Sequence, residues 1–265
     1  MSSQPFVIKR HVKLKHFDPG FSGGLDKDKT KQRTTELAHR IGELQQLLYA
    51  NSRQSVLLIF QGIDASGKDG VVRSVLDQVN PTGVEVANFK VPSAEERAHD
   101  FLWRVHRAVP RYGNVGVFNR SHYEGVLAER ILEIVPREVW QERYTQIVDW
   151  ERMLVANRVV ILKFFLHLSR EEQAERFRER LANPKKHWKF SPADLEVRER
   201  WDDYAAAFED MLNRTSHPAA RWHIVPADQN WVRDHAVAQA VVEAMEGLNL
   251  KWPKASADYS KVRIK

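Results

Sequence analysis

Five apolar residues in a row, Val56-Leu57-Leu58-Ile59-Phe60, run almost directly into Gly62-Ile63-Asp64-Ala65-Ser66-Gly67-Lys68-Asp69-Gly70. A short unbroken apolar run is what a strand covered on both faces requires. The residues after it match G-x-x-x-x-G-K, which between a strand and a helix forms a phosphate-binding loop. Glycines let the backbone curl until successive N–H groups point inward, and the helix N-terminus and Lys68 add positive charge. Gly62, Ala65, Ser66, Gly67, Lys68, Asp69 and Gly70 are therefore the expected phosphate-binding residues. A glycine-rich turn with a surface lysine is the bland alternative, and the flanking strand and helix weigh against it. Position 69 holds Asp where Ser or Thr usually offers Mg2+ a hydroxyl. A cation bridging phosphates takes one or two carboxylates plus water, and Asp64 inside the loop is the first candidate.

Such a strand needs neighbours, and the chain supplies them in alternation with helices. Leu37, Ile41, Leu44 and Leu48 recur at helical spacing between Thr30 and Ala50. A helix follows the loop to about Val79, closed by Asn80-Pro81-Thr82-Gly83. Further strands are predicted at Val84–Lys90, Val115–Phe118, Val159–Leu166 and Trp222–Val225. Ser93 and Glu96 form a capping box that opens a helix to about Ala108, and helical segments span roughly 122–156. Ser169 and Glu172 cap the next helix, Ser191-Pro192-Ala193-Asp194 opens another, and Trp231–Leu248 closes the series. The stretch Ala182–Phe190, with its Asn-Pro, is predicted as a loop. The pattern implies an α/β fold: a five-stranded parallel sheet with helices on both faces. Residues 1–29 read as an irregular N-terminal arm, because FDPGFSGGLDKDK at 17–29 is rich in turn residues. Residues 30–248 then form one domain with a lid at about 176–200, and 249–265 form a basic C-terminal tail.

Composition narrows the class. The 265 residues are 43% hydrophobic and 29% charged, which fits a globular protein and not a disordered one. No apolar run is long enough for a membrane span, and the first 16 residues lack the apolar core of a secretory signal. Without cysteine there are no disulfides, thiolate ligands or thiol nucleophiles. A cytoplasmic protein is expected. The net charge of +6 is concentrated: residues 1–16 carry +4, residues 249–265 carry +4, and 176–200 carry a local +4. The rest of the body is acidic, unlike the broad basic face of a duplex binder, so no nucleic-acid partner is expected.

Two further stretches carry candidate chemistry. The third predicted strand ends in Phe118-Asn119-Arg120-Ser121-His122-Tyr123-Glu124, at the sheet edge where open α/β folds place ligands. There Arg120 is placed to grip a phosphoryl group, and Asn119 or Glu124 to orient metal or acceptor; a structural Arg120–Glu124 pair is the alternative. The second is Arg176, Arg178 and Arg180 followed by Lys185, Lys186 and Lys189 across the Asn-Pro loop. Basic residues on both sides of a loop between helices point to a mobile lid closing over a polyanion.

In order, GIDASGKDG, NPTGVEVANFKVPS, AHDFLWRVH, FNRSHYE, ERYTQIVDWERML and PKKHWKFSPADLE resemble the polyphosphate kinase 2 family, from about Val12 to Leu248. FNRSHYE, with the short arm ending at FDPGF, is most similar to the single-domain subgroup called class III. The resemblance implies a P-loop kinase fold of the thymidylate-kinase-like type with a helical lid. It implies Mg2+-dependent transfer from inorganic polyphosphate to ADP, and to AMP as well, making ATP stepwise and reversibly; guanine nucleotides are further candidates. Catalytic roles fall on Asp64, Lys68, Arg120 and Arg178, with Lys185, Lys186 and Lys189 on the polymer. Other subgroups have Asp where this chain has Asn119, so Asp64 and Glu124 are the expected metal ligands, and Asn119 and Glu124 the nucleotide contacts. A homo-oligomer, tetramer or dimer, is also implied. The rival readings are an ATP-dependent nucleoside monophosphate kinase, and a nucleotide-sensing protein with slow turnover.

Overall fold

A computed structural model describes residues 6–256, 259 and 262–264. Its elements in chain order are β1 (Phe6–Val7), α1 (Lys27–Asn51), β2 (Ser55–Gln61), α2 (Lys68–Val75), β3 (Val84–Asn88), α3 (Ala94–Arg97), α4 (Trp103–His106) and β4 (Val115–Asn119). There follow α5 (Ala128–Ile131), α6 (Arg137–Ala156), β5 (Val159–His167), α7 (Arg170–Ala182), α8 (Ala193–Glu199), α9 (Trp201–Thr215), β6 (Trp222–Pro226) and α10 (Asn230–Glu246).

The strands form one sheet in the order β1-β6-β5-β2-β4-β3. β2, buried along its whole length, lies parallel between β4 and β5. β3 extends the parallel array beyond β4, and β6 extends it beyond β5. Helices α1, α2 and α10 pack together on one side of the sheet, while α6 and α9 pack with each other on β5's other flank. Apolar runs such as Leu57-Leu58-Ile59-Phe60 have no exposed face because both sides are covered.

The sheet corrects the expected count. It has six strands, not five, and is mixed: β1 runs antiparallel along β6, with Phe6 opposite Ile224 and Val7 opposite His223. Two residues are too few to carry a periodic signal. The single helix expected from Ser93 to Ala108 is instead two separate turns, α3 and α4. Its capping box does form, Glu96 N donating to Ser93 Oγ at 3.1 Å and Ser93 N to Glu96 Oε2 at 2.7 Å. Downstream, Asp100 accepts from Leu102 N at 3.0 Å, a local turn that competes with helix continuation. α2 ends at Val75, short of Val79. The expected loop at 182–190 holds a 3-10 turn, Pro184–Lys189, which Asn183 starts by accepting from Lys185 N at 3.0 Å.

The N-terminal arm is fastened across α9 and β6. Ile8, Val12 and Leu14 are buried. The Asn213 side chain accepts from Val12 N at 2.8 Å and donates to Val12 O at 2.9 Å, and Leu14 N donates to Glu209 at 2.9 Å. Those parts of the expected arm and tail at 1–5, 257–258, 260–261 and 265 lie outside the described residues. No described helix is long and apolar enough to cross a membrane.

Candidate active site

The parallel register sets Phe60 of β2 opposite Asn119 of β4, so both chains leave the sheet side by side. Arg120 N still donates to Phe60 O at 3.1 Å before the paths diverge. From β2 the chain curls back over the N-terminus of α2. Ala65 (φ 67°) and Gly67 (φ 92°) take the left-handed backbone this curl needs. At Gly67 a Cβ would also collide with the guanidinium of Arg233, which reaches over from α10. The left-handed φ is what favours glycine here, since the Arg233 guanidinium is the far end of a long side chain. Lys68, nearly sealed from water, donates to Gly62 O at 2.7 Å and Ile63 O at 3.2 Å. Burial pushes its ammonium down to about 8, against the opposing pull of Asp64.

From β4 the chain passes through Arg120, itself left-handed (φ 62°), into a 3-10 turn over His122–Val126 capped by Ser121. The Arg120 guanidinium pairs with Asp64. Glu124 sits in the same field: burial raises its carboxyl above the usual range, while Arg120 and Lys68 pull it back. Gln61, its amide oriented by its neighbours, donates to Glu124 Oε1 at 3.2 Å and accepts from Ser121 Oγ at 3.0 Å. Asn119 donates to Asp69 Oδ1. The fold thus gathers Asp64, Lys68, Asp69, Asn119, Arg120 and Glu124 at one sheet edge, around a curl of backbone at the head of α2. Two cations facing carboxylates beside such a curl can hold and neutralise a phosphoryl group. Among the described residues no group of three or more His, Asp or Glu is arranged for a metal. A cation that takes most of its ligands from phosphate and water needs fewer, and the hard oxygens of Asp64 and Glu124 suit it.

The outer part of the basic segment bonds elsewhere, while Arg180 lies 3.8 Å from Asp194, whose carboxyl is raised by burial and by the charge of Asp64. Arg178 is 70% exposed and pairs with Glu175 at 2.9 Å. Lys185, Lys186 and Lys189 are exposed on the Pro184–Lys189 turn, Lys186 lying 3.8 Å from Glu179 and Lys189 over the Trp188 ring. Arg176, on the opposite side of α7 from Arg178, is the residue that touches the loop. It donates to Ala65 O at 2.8 Å, to Ala227 O at 2.6 Å and to Asp228 O at 2.8 Å, and its Nε donates to Glu172 at 2.8 Å. Sequence reasoning counted Arg176 only as part of a charge run and missed Arg233 altogether. The buried Gln173 and Phe177, flanking Arg176 at helical spacing, were the available signal for α7's inward face.

A sequence profile of the family described as Polyphosphate kinase 2 (PPK2) matches residues 24–253. The chain belongs to the polyphosphate kinase 2 family. It is 47% identical over 255 residues to the AMP/ADP-polyphosphate phosphotransferase of Meiothermus ruber, covering 95% of each chain. It is 48% identical over 229 residues to the ADP-polyphosphate phosphotransferase of Rhodopseudomonas palustris, covering 82% of this chain and 79% of that one. The crystal structure of polyphosphate kinase 2 from Arthrobacter aurescens TC1 superposes with a TM-score of 0.93 at 39% identity, over 95% of this chain and 91% of that one. As a member of this family the chain is a phosphotransferase with the P-loop kinase fold, its sixth strand a small addition to the parallel core.

Proposed function

We propose that this chain transfers phosphoryl groups between inorganic polyphosphate and adenine nucleotides, phosphorylating ADP to ATP and AMP to ADP, with Mg2+. The observation that carries this reading is the meeting of Lys68, Arg120, Asp64 and Glu124 beside the loop between β2 and α2. The near full-length relative named for AMP, ADP and polyphosphate supports the choice of donor and acceptors. Phosphoryl transfer passes through a loose transition state, so catalysis is mostly positioning and charge neutralisation. In this reading the backbone N–H groups of Gly62, Ala65, Gly67, Asp69 and Gly70 cradle phosphate oxygens, whereas Ser66 N is committed to Ile63 O at 3.1 Å and Ser66 would contribute its hydroxyl. Lys68 and Arg120 neutralise the group in flight, and Asn119 and Glu124 orient the nucleotide. Asp64 and Glu124 would hold Mg2+, which would supply positive charge to the phosphate groups. Arg178, Lys185, Lys186 and Lys189 track the polymer and exclude water, the competing acceptor.

The test is incubation with polyphosphate and Mg2+ plus either ADP or AMP as sole nucleotide, followed by nucleotide chromatography. ATP from ADP, and ADP then ATP from AMP, is the expected result. Phosphorylation of AMP by ATP alone, with none from polyphosphate, would make the protein a nucleoside monophosphate kinase instead.

A further inference from the structure

Beneath the active-site edge lies a polar assembly that phosphoryl transfer does not itself use. Glu151 of α6 and Lys163 of β5 have no exposed side-chain surface and pair at 2.6 Å. Tyr123 OH donates to Glu151 Oε1 at 2.7 Å and accepts from Lys163 Nζ at 2.9 Å. His217 Nε2 lies 2.9 Å from Glu151 Oε2, and His122 Nε2 lies 3.4 Å from Oε1. Lys163 completes its bonds on Thr215 O at 2.8 Å, and the Tyr123 ring meets Trp222 edge to face at 4.8 Å.

Net stability is a weak reason for a fold to keep such an arrangement. A buried ion pair replaced by well-packed uncharged groups of similar volume often leaves a fold as stable or more so. What the assembly holds is specific. Two of the groups around Glu151, His122 and Tyr123, belong to the turn that begins just after Arg120 and contains Glu124. That turn has weak local support: Tyr123 N reaches Ser121 Oγ at 3.3 Å, and Glu124 N reaches Ser121 O at 3.1 Å. A 3-10 turn has poorer hydrogen-bond geometry than an α-turn, and a left-handed arginine before it is a conformation the chain does not favour alone. Surroundings must impose both: Gln61 bonds Ser121 and Glu124, Arg143 donates to Gly125 O at 2.9 Å, and the buried anchors fix His122 and Tyr123 between them.

We propose that Glu151, Lys163 and Tyr123 are positioning residues for phosphoryl transfer, locking the 121–126 turn so that Arg120 and Glu124 face the loop of Lys68. The proposal rests on the reading of Arg120 as a catalytic residue. It is tested in the full chain with Tyr123→Phe, with the uncharged double variant Glu151→Gln/Lys163→Met, and with Arg120→Ala as reference. Turnover and KM for ADP and for polyphosphate are measured with polyphosphate as donor, beside thermal unfolding.

The double variant is expected to keep its Tm and to hold both KM values within about twofold, while kcat falls about 20-fold or more. Tyr123→Phe, which loses one hydroxyl, should lower kcat about fivefold to tenfold with the same KM pattern. A purely structural role would instead move Tm and the amount of folded enzyme, leaving kcat per folded site alone. Folded variants with kcat within about twofold of the parent overturn the proposal; if the double variant does not fold, Tyr123→Phe decides by itself. Should Arg120→Ala turn over normally, the reading of Arg120 fails and the positioning role falls with it. An inactive Arg120→Ala beside an unimpaired Tyr123→Phe sinks the positioning role alone.

Discussion

An ammonium sealed from water, as at Lys68, is held only while the site supplies compensating charge, and that makes its protonation part of substrate binding. With the group lowered to about 8, Lys68 in the free site is cationic below that pH and loses its charge above it, while Arg120 keeps its own. Phosphate binding above pH 8 should therefore take up a proton, and kcat/KM should fall as pH rises through about 8. Lys68→Arg, charged throughout, should be slow but should move that limb to higher pH, which a pH series of initial rates would read. The stability term has a definite sign. Between about 8 and the ordinary 10.5 the unfolded chain binds more protons than the folded one, so this residue makes stability rise with pH across that window. Lys68→Ala should cost about 100-fold or more in turnover, about 2.7 kcal/mol of barrier, with the fold intact by circular dichroism. Asp64→Asn keeps the shape and removes the anion facing Arg120. Its activity should collapse and partly return at high Mg2+; an unchanged Mg2+ dependence would place the metal elsewhere.

At the level of elements, the basic segment carries the sharpest expectation. A polyphosphate chain bears roughly one charge per phosphate, so each cationic contact releases bound counterion, as at nucleic-acid phosphates. The Lys185→Ala/Lys186→Ala pair should raise KM for long-chain polyphosphate far more than KM for ADP, and flatten its salt dependence. Equal movement of both constants, across a salt series, would make 176–190 a solvated turn. The same elements show what a sequence can and cannot disclose. Strands β2, β4 and β5 were legible because burial on both faces leaves nearly unbroken apolar runs, and the loop because its glycine and lysine spacing matches a phosphate-binding pattern between a strand and a helix. β1 was not, since Phe6-Val7 gains its conformation from β6 and not from its own pattern. Arg176 and Arg178 could not be ranked by charge alone: α7 is polar nearly throughout, and a shift of two residues turns a side chain from the loop to the solvent. Arg233 carried no signal, because its guanidinium comes to lie against Gly67 only once α10 has packed on α2.

Across the whole molecule, the arm acts as a clasp. It ties Leu14 to α9 and Ile8 to β6, where Ile8 N donates to Trp222 O at 2.9 Å. Leu14→Ala should destabilise the fold by about 2–3 kcal/mol, read by denaturant unfolding, with kcat of the folded protein unchanged. Loss of turnover in a fully folded Leu14→Ala protein would show that the clasp reaches the active site. The clasp also decides how the sheet meets other sheets. β1 and Ile8 cover the margin of β6 along Trp222–Ile224 and leave a two-residue strand as one edge of the sheet, with β3, its Val86 54% exposed, as the other. Polymerisation by strand addition needs two free margins on every unit, one to receive and one to offer. An edge only two residues long offers few of the backbone groups that strand addition needs, so β1 blunts that margin against fibre growth while β3 remains the longer edge.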